Sequence, residues 1–115
     1  MGKLVWTVAA VAAMTGAAAS AAPFNGARAI AGGDLRTAER EIVAQRALYP
    51  EQVDLMVNLA TVYLRTGRVA EARRVWTAVA AQPDEEVVLN GGTPAWSHQL
   101  ADRALRTLTV QVAAR

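Results

Sequence analysis

Apolar positions in the middle of the chain recur at helical spacing. Met56, Leu59, Ala60 and Tyr63 stand at i, i+3, i+4 and i+7, which predicts an amphipathic helix from Val53 to Arg65. Pro50 and Glu51 suit its start, because proline is tolerated in a first helical turn and a carboxylate there meets the positive end of the dipole. A second pattern flanks this helix on both sides. Shifting the chain by 34 residues lays Gly33, Leu35, Ala38, Arg40, Ile42, Ala44 and Ala47 on Gly67, Val69, Ala72, Arg74, Trp76, Ala78 and Ala81. In each copy the glycine predicts a tight turn between helices. The stripe that follows (Leu35, Ala38, Ile42, or Val69, Ala72, Trp76, Val79) predicts the buried face of the next helix. The small alanine lets two helices approach closely, and Ile42 or Trp76 one turn later fills the space between neighbouring pairs.

The last third departs from this pattern. Residues 84–93 do not continue the repeat, and Asn90-Gly91-Gly92 is a turn signal. Val87-Val88-Leu89 before it reads as a short strand or a packed loop. Thr93 and Pro94 predict the N-cap and first position of a terminal helix over 94–110, in which Trp96, Leu100, Ala104 and Leu108 step by four and Leu105 and Val112 widen the stripe. From Leu108 to Val112 apolar and polar residues alternate as in a strand, so the helical pattern fades there.

Residues 1–21 carry Lys3, an apolar run from Leu4 to Met14, and small residues ending Ala19-Ser20-Ala21. This order predicts a secretory signal peptide cleaved after Ala21, and an exported chain, periplasmic or secreted. The alternative is a retained membrane anchor, for which the run is shorter than the roughly 20 residues a span needs. No later segment is long and apolar enough to cross a bilayer, so no membrane span is expected in the mature chain.

Composition narrows the function. At 115 residues, one core is expected, and a 53% hydrophobic but 5% aromatic composition favours close-packed helices over a strand-rich sandwich. The formal charge is only +2, and Arg40, Arg46, Arg65, Arg68, Arg73 and Arg74 are interleaved with Glu39, Glu41, Glu51, Asp54 and Glu71. Such a surface lacks the basic stripe of a nucleic-acid binder, so no nucleic-acid partner is expected. With no cysteine, disulfides, thiolate nucleophiles and cysteine metal sites are excluded.

Met56, Leu59, Ala60, Tyr63, Gly67, Ala72, Trp76 and Pro83 fall in order on the pattern of the tetratricopeptide repeat family, which the chain resembles. Departures are Met56 for the usual tryptophan, Val79 for a small residue, and Pro83 one residue early relative to Pro50. The resemblance covers one full repeat, residues 50–83, and the second helix of an earlier one, residues 34–49. Pro23 to Gly32 would be a degenerate first helix with Gly26 and Ala29 in register. It implies an all-α fold: antiparallel helix-turn-helix repeats over 22–83, forming a fragment of a right-handed superhelix, then the 84–93 loop and a capping helix and tail in 94–115. It implies a protein–protein interaction scaffold or adaptor of the cell envelope, not an enzyme, with no cofactor and a protein or peptide partner held in a groove. The groove face of the helix at 53–65 would present Asp54, Val57, Asn58, Thr61, Leu64 and Arg65. Asn58 and Arg65 would bond a peptide backbone or terminal carboxylate, and Val57 and Leu64 would take apolar anchors. The alternative is a self-assembling homodimer without a peptide ligand, since fewer than about three repeats leave an apolar end for a second copy to cover.

The chemistry-bearing residues support this order of preference. His98 is the sole histidine, and Asp102 lies one helical turn on, where it would orient a base. Adjacent Ser97 points about 100 degrees away on a helix, so a nucleophile–base pair is not expected and His98 reads as a surface hydrogen-bonding group. One histidine with scattered carboxylates does not make a transition-metal site. Asp84-Glu85-Glu86 diverge from consecutive backbone positions and read as the acidic start of a short element, not as a calcium loop.

Overall fold

The computed structural model describes residues 25–88 and 92–113, with side chains to residue 110. The expected signal segment, residues 1–21, lies outside them. The described residues are mostly helical: α1 (Ala27–Ala31), α2 (Leu35–Leu48), α3 (Val53–Arg65), α4 (Val69–Ala81), a two-stranded ribbon of β1 (Glu86–Val88) and β2 (Pro94–Trp96), and α5 (Ser97–Ala113).

Two turns set the layout, and they are built alike. After α1, Gly33 has a left-handed φ of 83°, its N–H donates to the Ile30 carbonyl at 3.0 Å, and the Asp34 N–H reaches back to Ala29 at 2.9 Å. After α3, Gly67 has φ 80°, its N–H donates to Leu64 at 3.1 Å, and the Arg68 N–H reaches back to Tyr63 at 2.8 Å. Both are Schellman closures, which satisfy orphan carbonyls only when the residue after the cap turns left-handed, the conformation glycine adopts without a steric cost. The expectation that Gly33 and Gly67 stand between helices thus holds. α2 then starts on Asp34, whose carboxylate accepts the Thr37 N–H at 3.1 Å; hydrogen bonding to Thr37, from its side chain first and its backbone second, holds that carboxylate below the usual aspartate range. α4 has no such side-chain cap at Arg68.

α3 is buried on two sides. Seven of its 13 residues are buried: Val53, Leu55, Met56, Val57, Leu59, Ala60 and Val62. Leu55, Leu59 and Val62 pack with Ile30, Ala38 and Ile42 of α1 and α2. Val53, Met56, Val57 and Ala60 pack with Ala72, Trp76 and Val79 of α4, Val87 of β1, and Ala101 and Leu108 of α5. One helix therefore divides and serves two cores, and burial of this kind, roughly 1.5–3 kcal/mol per large side chain, outweighs the modest helix propensity of its valines. The single stripe Met56, Leu59, Ala60, Tyr63 described half of this; Leu55, Val57 and Val62 were not expected inside. Ala38 and Ala72 are fully buried, and Ile42 and Trp76 fill the cores as their spacing predicts.

The terminal helix starts later than Thr93-Pro94 suggests. Pro94–Trp96 is a strand, antiparallel to β1 in the register Glu86 with Trp96, Val87 with Ala95 and Val88 with Pro94. Pro50 and Glu51 likewise lie in the turn before α3, whose N-cap is Gln52. The ribbon turns Val87 inward and leaves Val88 and Trp96 outside, Trp96 48% exposed, so Trp96 does not belong to the α5 stripe. At the other end α5 runs on through the alternating segment to Ala113. Its start is defined from the far side of the ribbon. The Ser97 N–H donates to the Glu85 carbonyl at 2.8 Å, Ser97 Oγ accepts the Glu85 N–H at 3.0 Å, and the Asp84 carboxylate accepts the His98 N–H at 3.0 Å. Asp84 is thus an N-cap supplied from outside the local sequence, meeting the positive helix end as a carboxylate does.

One ion pair ties α2 to the start of α4. The guanidinium of Arg68 grips both carboxylate oxygens of Glu39 on α2 and lies 4.6 Å from the centroid of the Tyr63 ring. The hydrogen bonds from Arg68 hold Glu39 below its ordinary value of 4.5. A depressed carboxylate contributes stability that is present at neutral pH and is lost as pH falls through its folded value. The pair is about one third exposed, so its contribution is small. The melting temperature of Glu39→Gln should therefore lie slightly below the wild type at neutral pH and converge on it as pH drops below 4.5. A gap that persists undiminished in acid would assign it to packing instead.

Candidate functional site

The polar positions of α3 form one stripe, Asp54, Asn58, Thr61 and Arg65, set at helical spacing opposite its two cores. The structure lays residues 25–30 against that stripe. Asn58 Nδ2 donates to the Asn25 carbonyl at 2.9 Å, Asp54 Oδ2 accepts from Asn25 Nδ2 at 3.5 Å, and Arg65 Nη1 donates to the Ile30 carbonyl at 3.3 Å. Thr61 Oγ1 donates to the Val57 carbonyl of its own helix. Asn25 in turn accepts the Ala27 N–H at 3.0 Å, so these bonds fix the entry into α1, and Arg65 gives the Ile30 carbonyl near its end a second donor. Asn58 and Arg65 do bond backbone carbonyls, but those of this chain.

The two apolar members of the expected groove separate. Val57 is 4% exposed and lies in the core shared with α4 and α5, so it is not open to an anchor, and the expectation is corrected there. The reason is the two-sided burial of α3, which leaves no apolar residue of its middle turns on the surface. Leu64, near the C-terminal end of α3, is half-buried and forms one wall of a cleft of about 420 Å³. Val69 and Trp76 of α4 and Leu100, Ala104 and Leu108 of α5 supply the other walls, and Arg103 and Thr107 stand at its side. The volume lies in the range of small-ligand sites, which are typically apolar with few polar groups.

The polar side chains lining this cleft are those of Arg103 and Thr107, and the Trp76 indole N–H is sealed from it. Trp76 is 5% exposed, and its indole Nε1 is buried without a hydrogen-bond partner. Arg103 is exposed and makes no ion pair among the described residues, while Thr107 Oγ1 donates to the Arg103 carbonyl at 3.0 Å. Arg103 and Thr107 were not singled out from the sequence. They are one residue before Ala104 and Leu108 on the step-of-four stripe, the flank that a helix packed by that stripe turns towards a neighbouring groove.

The residues weighed for catalysis have other partners. His98 Nε2–H donates to the Gln82 carbonyl at 2.6 Å, and Asp102 pairs with Arg106 at 2.7 Å one turn along α5. Ser97 is fully buried and bonded to Asp84 at 3.3 Å. Asp84 is the cap of α5, in keeping with a carboxylate at a helix start. Among the described residues no three histidine or carboxylate side chains gather as a metal site, and no helix is long and apolar enough to cross a membrane.

Comparison with known protein families, with characterised proteins and with solved structures found no match to this chain.

Proposed function

We propose that this chain is an exported helical-repeat scaffold of the tetratricopeptide type, periplasmic or secreted, which holds a protein or peptide partner and carries out no reaction of its own. The observation that carries the reading is the pair of identical turns 34 positions apart, each followed by a fully buried alanine and then a large core residue. Independent helices of a generic bundle have no reason to repeat a turn, its hydrogen bonds and its packing order at one fixed interval, whereas stacked repeats do. α5 supports the reading from the other end. It covers α4 with Leu100, Ala104 and Leu108 and turns Gln99, Asp102, Arg103 and Arg106 outward, as a terminal cap with a polar outer face does. With Asp54, Asn58 and Arg65 engaged by residues 25–30, the surface left for a partner centres on Leu64 and the cleft beside it.

A photo-crosslinking residue at Leu64 tests this. It should yield one discrete adduct in the cell envelope, reproduced with the purified captured protein and absent from a probe at exposed Arg74 on α4. Equal labelling from both positions, or none from either, would remove the scaffold reading. An adduct of the chain with itself would replace it by the homodimer.

A further inference from the structure

The ribbon leaves a strand edge open, and its register identifies the atoms along it. The bond from the Ser97 N–H to the Glu85 carbonyl makes 85 and 97 a hydrogen-bonded pair, and in an antiparallel ladder such pairs alternate with unbonded ones. Val87 with Ala95 is therefore the next bonded pair. Glu86 and Val88 turn their N–H and C=O groups the other way, along the outer edge of β1, and among the described residues no hydrogen bond from another element reaches them. The edge of β2 is blunted, because Pro94 stands there and has no N–H to offer.

Only an extended polypeptide presents donors and acceptors at the alternation of such an edge, so the backbone selects the class of ligand. The surrounding side chains select its charge. Glu86, Val88, Pro94 and Trp96 share the outer face of the ribbon and are all exposed. Beside the leading end of β1, the turn from α2 to α3 leaves a groove of about 480 Å³, where exposed Leu48 and Tyr49 stand with Glu51 and Glu85. The carboxylates of Glu51, Glu85 and Glu86 form no ion pair among the described residues. From Ala47 to Leu64 and from Val75 to Asp102, stretches that include every residue named at this end, the chain has no lysine or arginine.

We infer that the β1 edge takes up an extended basic segment of a partner as a third strand. Its backbone bonds Glu86 and Val88, its lysines or arginines meet the free carboxylates, and its alternate aliphatic residues lie on the exposed apolar side chains. A second copy of the chain is a poorer occupant, since pairing through β1 would bring two acidic ends together. This surface is at the end of α3 away from Leu64, so the inference goes beyond the scaffold reading and its outcome does not depend on what the cleft at Leu64 holds.

The test titrates the purified full chain with a blocked peptide of alternating lysine and valine, followed by nuclear magnetic resonance. Shifts should saturate and be largest at the Glu86 and Val88 amide protons. The glutamate–valine counterpart should bind roughly tenfold more weakly, and so should the lysine–valine peptide methylated on its backbone nitrogens. Glu86→Gln should weaken binding roughly two- to fivefold, the worth of an exposed ion pair. Val88→Pro should abolish it, because the substitution removes an outward N–H but no bond of the β1–β2 ladder. If Val88→Pro disturbs the ribbon, the methylated peptide and Glu86→Gln still decide. Equal affinities for the lysine and glutamate peptides, undiminished binding of the methylated one, or shifts centred on Leu64 would overturn the inference. Edge signals that move with protein concentration alone would give the edge to a second copy instead.

Discussion

Trp76→Ala should lower the stability of the chain by about 3–5 kcal/mol, the range for removing a buried tryptophan. Trp76 is at once the largest buried residue of α4, a member of the core that joins α3, α4 and α5, and a wall of the cleft. Small domains hold roughly 5–15 kcal/mol in total, so this one truncation approaches the whole reserve. Trp76→Phe separates packing from hydrogen bonding. The indole N–H has no partner to lose, so the phenylalanine variant should cost well under half as much. Urea denaturation of both variants, with exposed Arg74→Ala as a control within about 0.5 kcal/mol of wild type, measures the difference. A cost for Trp76→Ala below about 1 kcal/mol would show that the side chain is not in the core, and the stacking of α4 on α3 would go with it.

Gly26→Ala should be the second most damaging change, although it adds only a methyl group. Gly26 has φ 82°, where an L side chain costs about 1–2 kcal/mol. The new Cβ would also lie 2.6 Å from Cγ1 and 2.7 Å from Cδ1 of Ile42, and Ile42 is fully buried with no direction in which to retreat. Overpacking of that kind adds about 1–3 kcal/mol, for a total of about 2–5 kcal/mol. Gly33→Ala and Gly67→Ala supply the comparison. Both have the same sign of φ, but nothing lies within 4 Å of the added carbon, so each should lose only the backbone cost of about 1–2 kcal/mol, and by like amounts. Thermal melts of the three variants decide it. If Gly26→Ala falls no further than the other two, the close approach of residue 26 to Ile42 is wrong.

These contrasts mark what was legible in the sequence. The glycine turns, Ala38, Ala72, Ile42 and Trp76 were readable because each is specified by neighbours within one or two helical turns. The first residue of α5 was not. Thr93 and Pro94 make a plausible local start, but the carboxylate that caps the helix is Asp84, brought to His98 by the pairing of β1 with β2. A non-local cap leaves no trace in a scan along the chain. α3 was placed with its correct ends, yet its burial was read as one stripe because amphipathic spacing assumes a single core. The candidate site suffered from the same assumption. Leu64 lines a cleft, Val57 was assigned to a surface it does not reach, and Arg103 and Thr107 were not singled out because their cleft forms between α3 and α5, more than thirty residues apart in sequence. Asp54, Asn58 and Arg65 were read as part of a groove face open to a partner, but residues 25–30 of the chain itself lie against them.

The double duty of α3 has a mechanical corollary. A long array of repeats can fray from its ends, since each unit leans only on its neighbours. Here the helix that completes one hydrophobic cluster is the same helix that completes the other. Neither half can be detached without stripping the other of a wall, so the described residues should lose their order together, as one all-or-none unit, despite the turn that divides them.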